Sequence, residues 1–380
     1  MSRPLYVPHP QALSVLFGDL ENYSRSQVAV LIGTPGSLVK RKNAGGFEFY
    51  ARQYYDVNGK KIEKYLAGPI GSAEADTLAD ELSKKINSLA AITKDIRLLG
   101  REGFNVADNK TFAAVATLSN NGLFKAGGML IGSHAYGTLL NQLGVRAAQY
   151  ATLDVDIARG ARLAFEAPPA SFLEMLKESG LPLVENPRLD HREPSTSFGE
   201  AGGSSFQVDL LVPTSGSEIR TVEVPELHAH ATGLPYLSYV LGDSQETALL
   251  AREGCCRVRV PTPERFAIHK LIVSQLRNRG EKSEKDISQA AVLLAVLSER
   301  HPGAIEVAAK AIPVSARKHA TRAYALARKS LESHDRAIES LDAIFESPSD
   351  SEVEAKRSSE DRRQPKGINN KKKEPRGSGM

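Results

Sequence analysis

Gly132-Ser133-His134-Ala135-Tyr136, then a helical stretch, then Thr152-Leu153-Asp154-Val155-Asp156-Ile157-Ala158: this part of the 380-residue chain decides the fold. It reads as a Gly-Ser turn, a helix, and a strand bearing two carboxylates. On a strand, residues i and i+2 face the same way. Asp154 and Asp156 therefore project together, and Val155 turns into the core behind them. Two like charges held this close call for a cation between them, and a divalent metal is the natural partner. A Gly-Ser turn opening a helix offers backbone N–H groups and a hydroxyl to a phosphate. Together these parts predict a metal–nucleotide site. The plain alternative for Asp-x-Asp alone is exposed surface charge.

The flanking segments supply an α/β frame. Residues 111–124 read as a helix ended by Asn120-Asn121-Gly122, a good C-cap signal. Residues 125–133 form a short buried strand leading into the Gly-Ser turn, and 134–145 the helix after it. Residues 170–180 read as a helix closed by Gly180. Residues 204–213 read as a third strand, with Asp209 inside an apolar run and Pro213 expected to stop it. An unpaired charge buried in such a strand is costly, so Asp209 asks for a partner.

Farther out, residues 46–69 alternate apolar and polar positions around Asn58-Gly59, a strong two-residue hairpin signal. Phe47, Phe49, Tyr50, Tyr54, Tyr55 and Tyr65 are interleaved there with Arg41, Lys42, Arg52, Lys60, Lys61 and Lys64. Basic residues mixed with aromatics can grip a nucleic-acid backbone and stack on its bases. The plain alternative is a small sheet with a solvated basic face. Residues 73–99 have helical apolar spacing, and a short helix is expected around Ala12 to Leu20. From Glu264 the chain reads as a helical bundle with one long helical run from Ala316 to Ser347.

The predicted class is α+β: a small mixed sheet flanked by helices, with an N-terminal hairpin region and a C-terminal helical bundle. The expected organisation is 1–72 N-terminal region, 73–109 linking helix, 110–262 catalytic domain, 263–346 helical domain and 347–380 disordered basic tail. That tail carries nine Lys/Arg and six Asp/Glu, a net +3, which leaves +1 of the total +4 for the rest. A nearly neutral body argues against a protein coated all over with nucleic-acid-binding charge. No apolar run is long enough to span a bilayer, and MSRPLYVPHP lacks a secretory pattern. The two cysteines, Cys255 and Cys256, are adjacent and expected in the core. A cytoplasmic location follows as the expectation. His228 and His230 alone make a weak zinc site.

The motifs resemble a known superfamily. Gly132-Ser133, then Asp154-x-Asp156, then strand-borne Asp209 looks like the nucleotidyltransferase fold shared with DNA polymerase beta. The closer similarity is to bacterial nucleotidyltransferase-fold proteins. It is carried by Gly132-Ser133-x-Ala135-Tyr136, Leu143-Gly144-Val145-Arg146, Thr152 to Ala158, Val208-Asp209-Leu210-Leu211 and Pro263 to Leu271, and spans about Gly46 to Leu297. The resemblance implies that Asp154, Asp156 and Asp209 are catalytic and hold two Mg²⁺ or Mn²⁺ ions. It implies that Gly132 and Ser133 bind the nucleotide. The reaction would move a nucleoside monophosphate from an NTP to a hydroxyl on RNA, a protein or a small molecule.

Abortive-infection and toxin-type nucleotidyltransferases are similar in a further respect: they carry a Lys and an Asp on helices facing the metal centre. Lys270 and Asp286 match that order and are assigned to nucleotide binding, with Arg265, His269 and Arg277 near Lys270 on its helix. The ordinary alternative is a salt-bridged amphipathic helix. That likeness also implies a toxin or phage-defence role and an antitoxin-like regulatory partner. A competing reading is a non-catalytic nucleotide- or nucleic-acid-binding module on a degenerate transferase fold; the presence of all three carboxylates disfavours it.

Overall fold

A computed structural model describes residues 4–148, 152–188, 190, 192–203, 205–216, 218–276 and 280–345. Arg277 and the expected tail lie outside the described residues. The fold is α+β. The chain opens with β1 (Tyr6–Pro8) and α1 (Gln11–Ser26), then forms a three-stranded sheet of β2 (Ser37–Lys42), β3 (Glu48–Tyr55) and β4 (Lys61–Ala67). The order is β2-β3-β4, all antiparallel. The β3–β4 turn forms where Asn58-Gly59 predicts it. Asp56 accepts hydrogen bonds from the N–H groups of Asn58 and Lys60, and Gly59 takes a positive φ of 75°. Strand β2 was not foreseen, although Asn43-Ala44-Gly45-Gly46 ahead of β3 offers a turn signal of its own and Gly46 takes a positive φ of 84° there.

Next comes α2 (Ala73–Arg101), started by Ser72, whose hydroxyl accepts from the Ala75 N–H. Its buried residues, including Ala75, Ala79, Leu82, Leu89, Ile96 and Leu99, recur at helical spacing. Then α3 (Asn109–Asn120) is capped by Asp108, which accepts from the N–H groups of Lys110 and Thr111. Gly122 takes a positive φ of 75° just past its end.

The central sheet starts at β5 (Gly128–Ile131), with α4 (Gly132–Gln142) directly behind it. There follow β6 (Val145–Ala147), β7 (Asp154–Arg159), α5 (Phe172–Lys177), β8 (Leu183–Glu185), β9 (Ser197–Glu200), β10 (Gln207–Thr214), β11 (Arg220–Val224) and β12 (Ala229–Pro235). Seven of these strands make one mixed sheet with β11-β12-β10-β7-β5 as its path, β9 beside β10, and β8 beside β9. Strand β10 is parallel to both β7 and β12, and β5 is antiparallel to β7. Pro213 does not end β10. The β7 edge is paired only as far as Leu211, so the strand beyond it has one open edge where a missing N–H is tolerated.

A short α6 (Leu237–Val240) leads to the hairpin β13 (Ser244–Ala251) and β14 (Gly254–Pro261). Cys255 and Cys256 are fully buried in it, and burial pushes the Cys255 thiol up to about 12. The helical part is α7 (Pro263–Ser274), α8 (Glu281–Arg300), α9 (Ala304–Lys310), α10 (Val314–Ala327) and α11 (Asp335–Phe345). The expected long run is broken between α10 and α11. There His334 is buried, hydrogen-bonds Glu299 through Nδ1 at 2.7 Å and stacks on Tyr6. That anchoring pulls the backbone out of a continuous helix. No helix of the described residues is long and apolar enough to cross a membrane.

One apolar cluster runs from the sheet (Leu130, Val155, Val208, Leu210) through α7 and α8 (Ile268, Leu294) to Leu341 and Phe345 of α11. Strand β1 pairs with β6, and the Tyr6 hydroxyl donates to Glu299 of α8. The two ends of the described chain are thus tied to the same core.

Candidate active site

Alternation along β7 places Asp154 and Asp156 on the half-exposed face and Val155, 0% exposed, behind it. Strand β10 repeats the pattern with Gln207 and Asp209 outward and Val208 inward. The parallel register sets Gln207 opposite Asp154 and Asp209 opposite Asp156. On the other side of β7, Ile131 pairs with Asp156, so Gly132 follows immediately beside that carboxylate. Gly132 has φ +68°, and a Cβ there would overlap the Asp156 Oδ2 and crowd its Cγ at 2.9 Å. Glycine is needed here both for its conformation and for room. Three carboxylates and the Gly-Ser corner therefore meet at one end of the sheet.

The charges feel one another. Burial pushes the Asp209 carboxyl above its ordinary range, and the charge of Asp154 adds to the rise. Hydrogen bonds involving Ser197 and Gln207, whose Nε2 donates to Asp209 Oδ2 at 3.2 Å, and the charge of Lys282 oppose it. The donor set is all carboxylate oxygen, which suits a hard divalent cation. A cation would relieve the repulsion that Asp209 registers, so the donor chemistry, though not a closed three-residue geometry, suits the metal ions expected from the sequence. Among the described residues, no group of three or more His, Cys, Asp or Glu side chains is placed so that it could hold a metal ion.

A cavity of about 920 Å³ opens beside this end, and of the three carboxylates Asp154 is the one that lines it. Ser133, His134 and Asp154 form one wall, and Lys282 and Lys285 from the first turns of α8 form another. Asn105, Val106 and Asp108, with Gly137 and Thr138 of α4, line the far side. No side chain caps α4 or α8, so both helix starts present uncapped N–H groups. Burial lowers the Lys285 ammonium from its usual range, nearby Lys270 lowers it further, and Asp286, Asp156 and Asp154 pull it back up. His134 is pushed down to about 4, chiefly by burial, so its imidazole is neutral at pH 7. It lies 3.5 Å from the Thr111 hydroxyl, which donates to Asp108.

Lys270 and Asp286 lie apart from the cavity wall. They form a buried ion pair of 2.6 Å between α7 and α8, with side chains only 10% and 3% exposed. Phe266 packs its ring under the same ammonium. Arg265 donates to the Tyr239 carbonyl at 2.8 Å and stacks on that ring, which fixes α6 against α7. His228 sits in the left-handed region before β12, and no metal cluster forms there among the described residues.

Sequence reasoning passed over Lys282, Lys285 and His134. His134 lay inside the quoted motif. The lysines carried an i, i+3 spacing just after Gly280, a signal for two cations on one face at a helix start.

Residues 109–313, more than half of the chain, match the model of the nucleotidyltransferase family, and the protein belongs to that family. Nucleotidyl transfer is the chemistry that this membership and the site's architecture support. No curated protein matches the sequence. Among solved structures, the crystal structure of an antigenic nucleotidyltransferase-like protein from Paracoccidioides brasiliensis resembles it with a TM-score of 0.34 at 15% identity, over 63% of this chain and 96% of that one.

Proposed function

We propose that the protein transfers a nucleoside monophosphate from an NTP to an acceptor hydroxyl with the help of Mg²⁺ or Mn²⁺. The carrying observation is the register of β7 and β10, which sets Asp209 beside Asp156, the carboxylate that itself lies against Gly132. Asp154, Asp156 and Asp209 would hold two ions, which when bound neutralise charge on the triphosphate and on the attacking oxygen. The chain's own groups do the rest. The Ser133 hydroxyl and the uncapped N–H groups of α4 bind phosphate oxygens. Lys282 and Lys285 add positive charge from across the cavity. Asp209 receives, or positions, the acceptor hydroxyl beside one of the ions. The acceptor oxygen bonds to the α-phosphorus, and pyrophosphate leaves with the bonding pair. Catalysis would rest on positioning the reactants in line and on electrostatic stabilisation, with little covalent work by the protein. Lys270 and Asp286 support nucleotide binding from behind, by fixing the first turns of α8 on α7.

The test is incubation of the pure protein with each labelled NTP, Mg²⁺ or Mn²⁺, and total cellular RNA or lysate. Label should pass to an acceptor, and Asp154→Asn should reduce transfer at least a hundredfold. Equal labelling by the variant and the wild type refutes the assignment. Growth arrest on expression, relieved by Asp156→Ala and by a co-expressed antitoxin-like protein, is the outcome that would assign a toxin or phage-defence role.

A further inference from the structure

The cavity continues along α4 away from the Gly132-Ser133 corner. His134, Gly137 and Thr138 share one face of α4 by their i, i+3 and i+4 spacing, and all of them line the cavity. Asn105, from the link between α2 and α3, stands over Gly137. A Cβ at Gly137 would press on the Asn105 Cβ at 3.1 Å and on its Oδ1 at 3.3 Å. Glycine inside a helix costs about 1 kcal/mol relative to alanine. Here it makes room for the Asn105 amide.

Asn105 is held in one orientation. Its main-chain N–H donates to Asn141 Oδ1 at 2.7 Å, and its Nδ2 donates to the same oxygen at 3.2 Å. Asn141 Nδ2 donates back to the Asn105 carbonyl at 2.9 Å. Turning the Asn105 amide over would set its oxygen against that of Asn141. The amide nitrogen therefore faces buried Asn141, and Oδ1 lies over Gly137 in the cavity wall. His134 is fixed from behind. The Thr111 hydroxyl gives its proton to Asp108 Oδ2 at 2.6 Å, so toward His134 Nε2, 3.5 Å away, it can only accept. The ring proton then sits on Nε2, and Nδ1 keeps a lone pair. Among the described residues nothing donates to Asn105 Oδ1 or to His134 Nδ1. The wall thus offers acceptors about 4.5 Å apart along the helix, flanked by apolar Val106 and Leu249.

We propose that Asn105 and His134 read the base of the bound nucleotide, accepting hydrogen bonds from its exocyclic amino group. This rests on the transfer reaction proposed above and names its nucleotide as an amino-bearing one (ATP, CTP or GTP) rather than UTP. Gly137 lies beyond Ser133 by about 6 Å of helix, which leaves room for a sugar between phosphates at the corner and a base at Asn105. An amino group brings N–H donors to these acceptors. Uracil carries carbonyl oxygens on both sides of its ring N–H, and those oxygens would meet the acceptors unpaired. Apolar walls with a few fixed polar atoms suit a flat heterocycle.

The test separates selectivity from chemistry. The full-length protein is titrated calorimetrically with ATP, CTP, GTP and UTP, each with Mg²⁺ and no acceptor. At least one amino-bearing nucleotide should bind about tenfold or more tighter than UTP. Asn105→Ala keeps both main-chain bonds to Asn141 and should bring that ratio below about threefold, mainly by weakening the favoured nucleotide. Gly137→Ala, which pushes the amide aside, and His134→Phe should act in the same direction. A merely structural role would weaken all of the nucleotides by one factor and leave the ratio unchanged. UTP binding as tightly as the other nucleotides overturns the proposal, and so does an unchanged ratio in Asn105→Ala. Selective binding with no transfer to any acceptor leaves the base-reading wall standing and removes the transfer reading alone. Transfer with no preference among the NTPs does the reverse, and no binding of any nucleotide overturns both.

Discussion

The main chain at Gly132 lies directly against the carboxylate of Asp156, with no space for a Cβ between them. The turn that would receive phosphate and the strand that would receive metal are therefore in contact. Gly132→Ala should force Asp156 aside and strain a φ of +68°. Transfer activity should fall by two orders of magnitude or more, with about 1–2 kcal/mol lost in denaturant unfolding. Full transfer activity in a folded Gly132→Ala protein would show that Asp156 does no work in its present position.

Lys285 reaches the cavity from α8, and the charges of Asp156 and Asp154 favour its protonated form against the burial that lowers it. Lys285→Ala should raise KM for the NTP about tenfold or more, as expected when a cation facing a phosphate is lost. Lys285→Arg should restore part of the affinity. Steady-state kinetics on the three proteins decide it: an unaltered KM in Lys285→Ala places the triphosphate elsewhere.

The Lys270–Asp286 pair is buried, so removing one partner strands a charge in the core. Asp286→Asn or Lys270→Met should each cost about 3–5 kcal/mol. The double change Lys270→Met/Asp286→Leu should recover much of that loss. Thermal melts test this, and a double variant as unstable as the sum of the singles contradicts it.

Glu226 accepts Arg159 Nε at 2.8 Å and the Leu163 N–H at 3.0 Å. Burial pushes its carboxyl up, but these hydrogen bonds and the charge of Arg159 outweigh it and hold the group at about 2. A depressed carboxyl stabilises the fold above its unfolded value of 4.5 and loses that contribution as pH falls toward 2. The difference is on the order of 3 kcal/mol. Glu226→Gln should therefore show a flatter stability curve than the wild type between pH 4.5 and 2. Parallel curves in acid unfolding experiments rule the pair out as a source of acid sensitivity.

Local chemistry was the legible part of the sequence. Asn58-Gly59 marked the β3–β4 turn because a two-residue turn is written in adjacent residues. The Asp154–Val155–Asp156 alternation showed in the same way, since strand period needs no partner to be seen. The position of Asp209 opposite Asp156 is a long-range pairing, and only resemblance to a family hinted at it. Pro213 misled because its effect depends on which edge of β10 is occupied. The break before α11 depends on His334 finding Glu299 and Tyr6, both distant in sequence. Lys282 and Lys285 reached the cavity because α8 packs on α7 with its first turn over the sheet end, and no local pattern encodes that direction.

The apolar cluster that joins the sheet to α11 has no seam. Helices α10 and α11 roof α8, and β1 reaches across to the same roof through Tyr6. A fragment trimmed to 109–313 would lack α10 and α11 and so uncover apolar surface on α7 and α8, a liability for aggregation. Changes to the site that leave this roof in place keep the core of α8 covered.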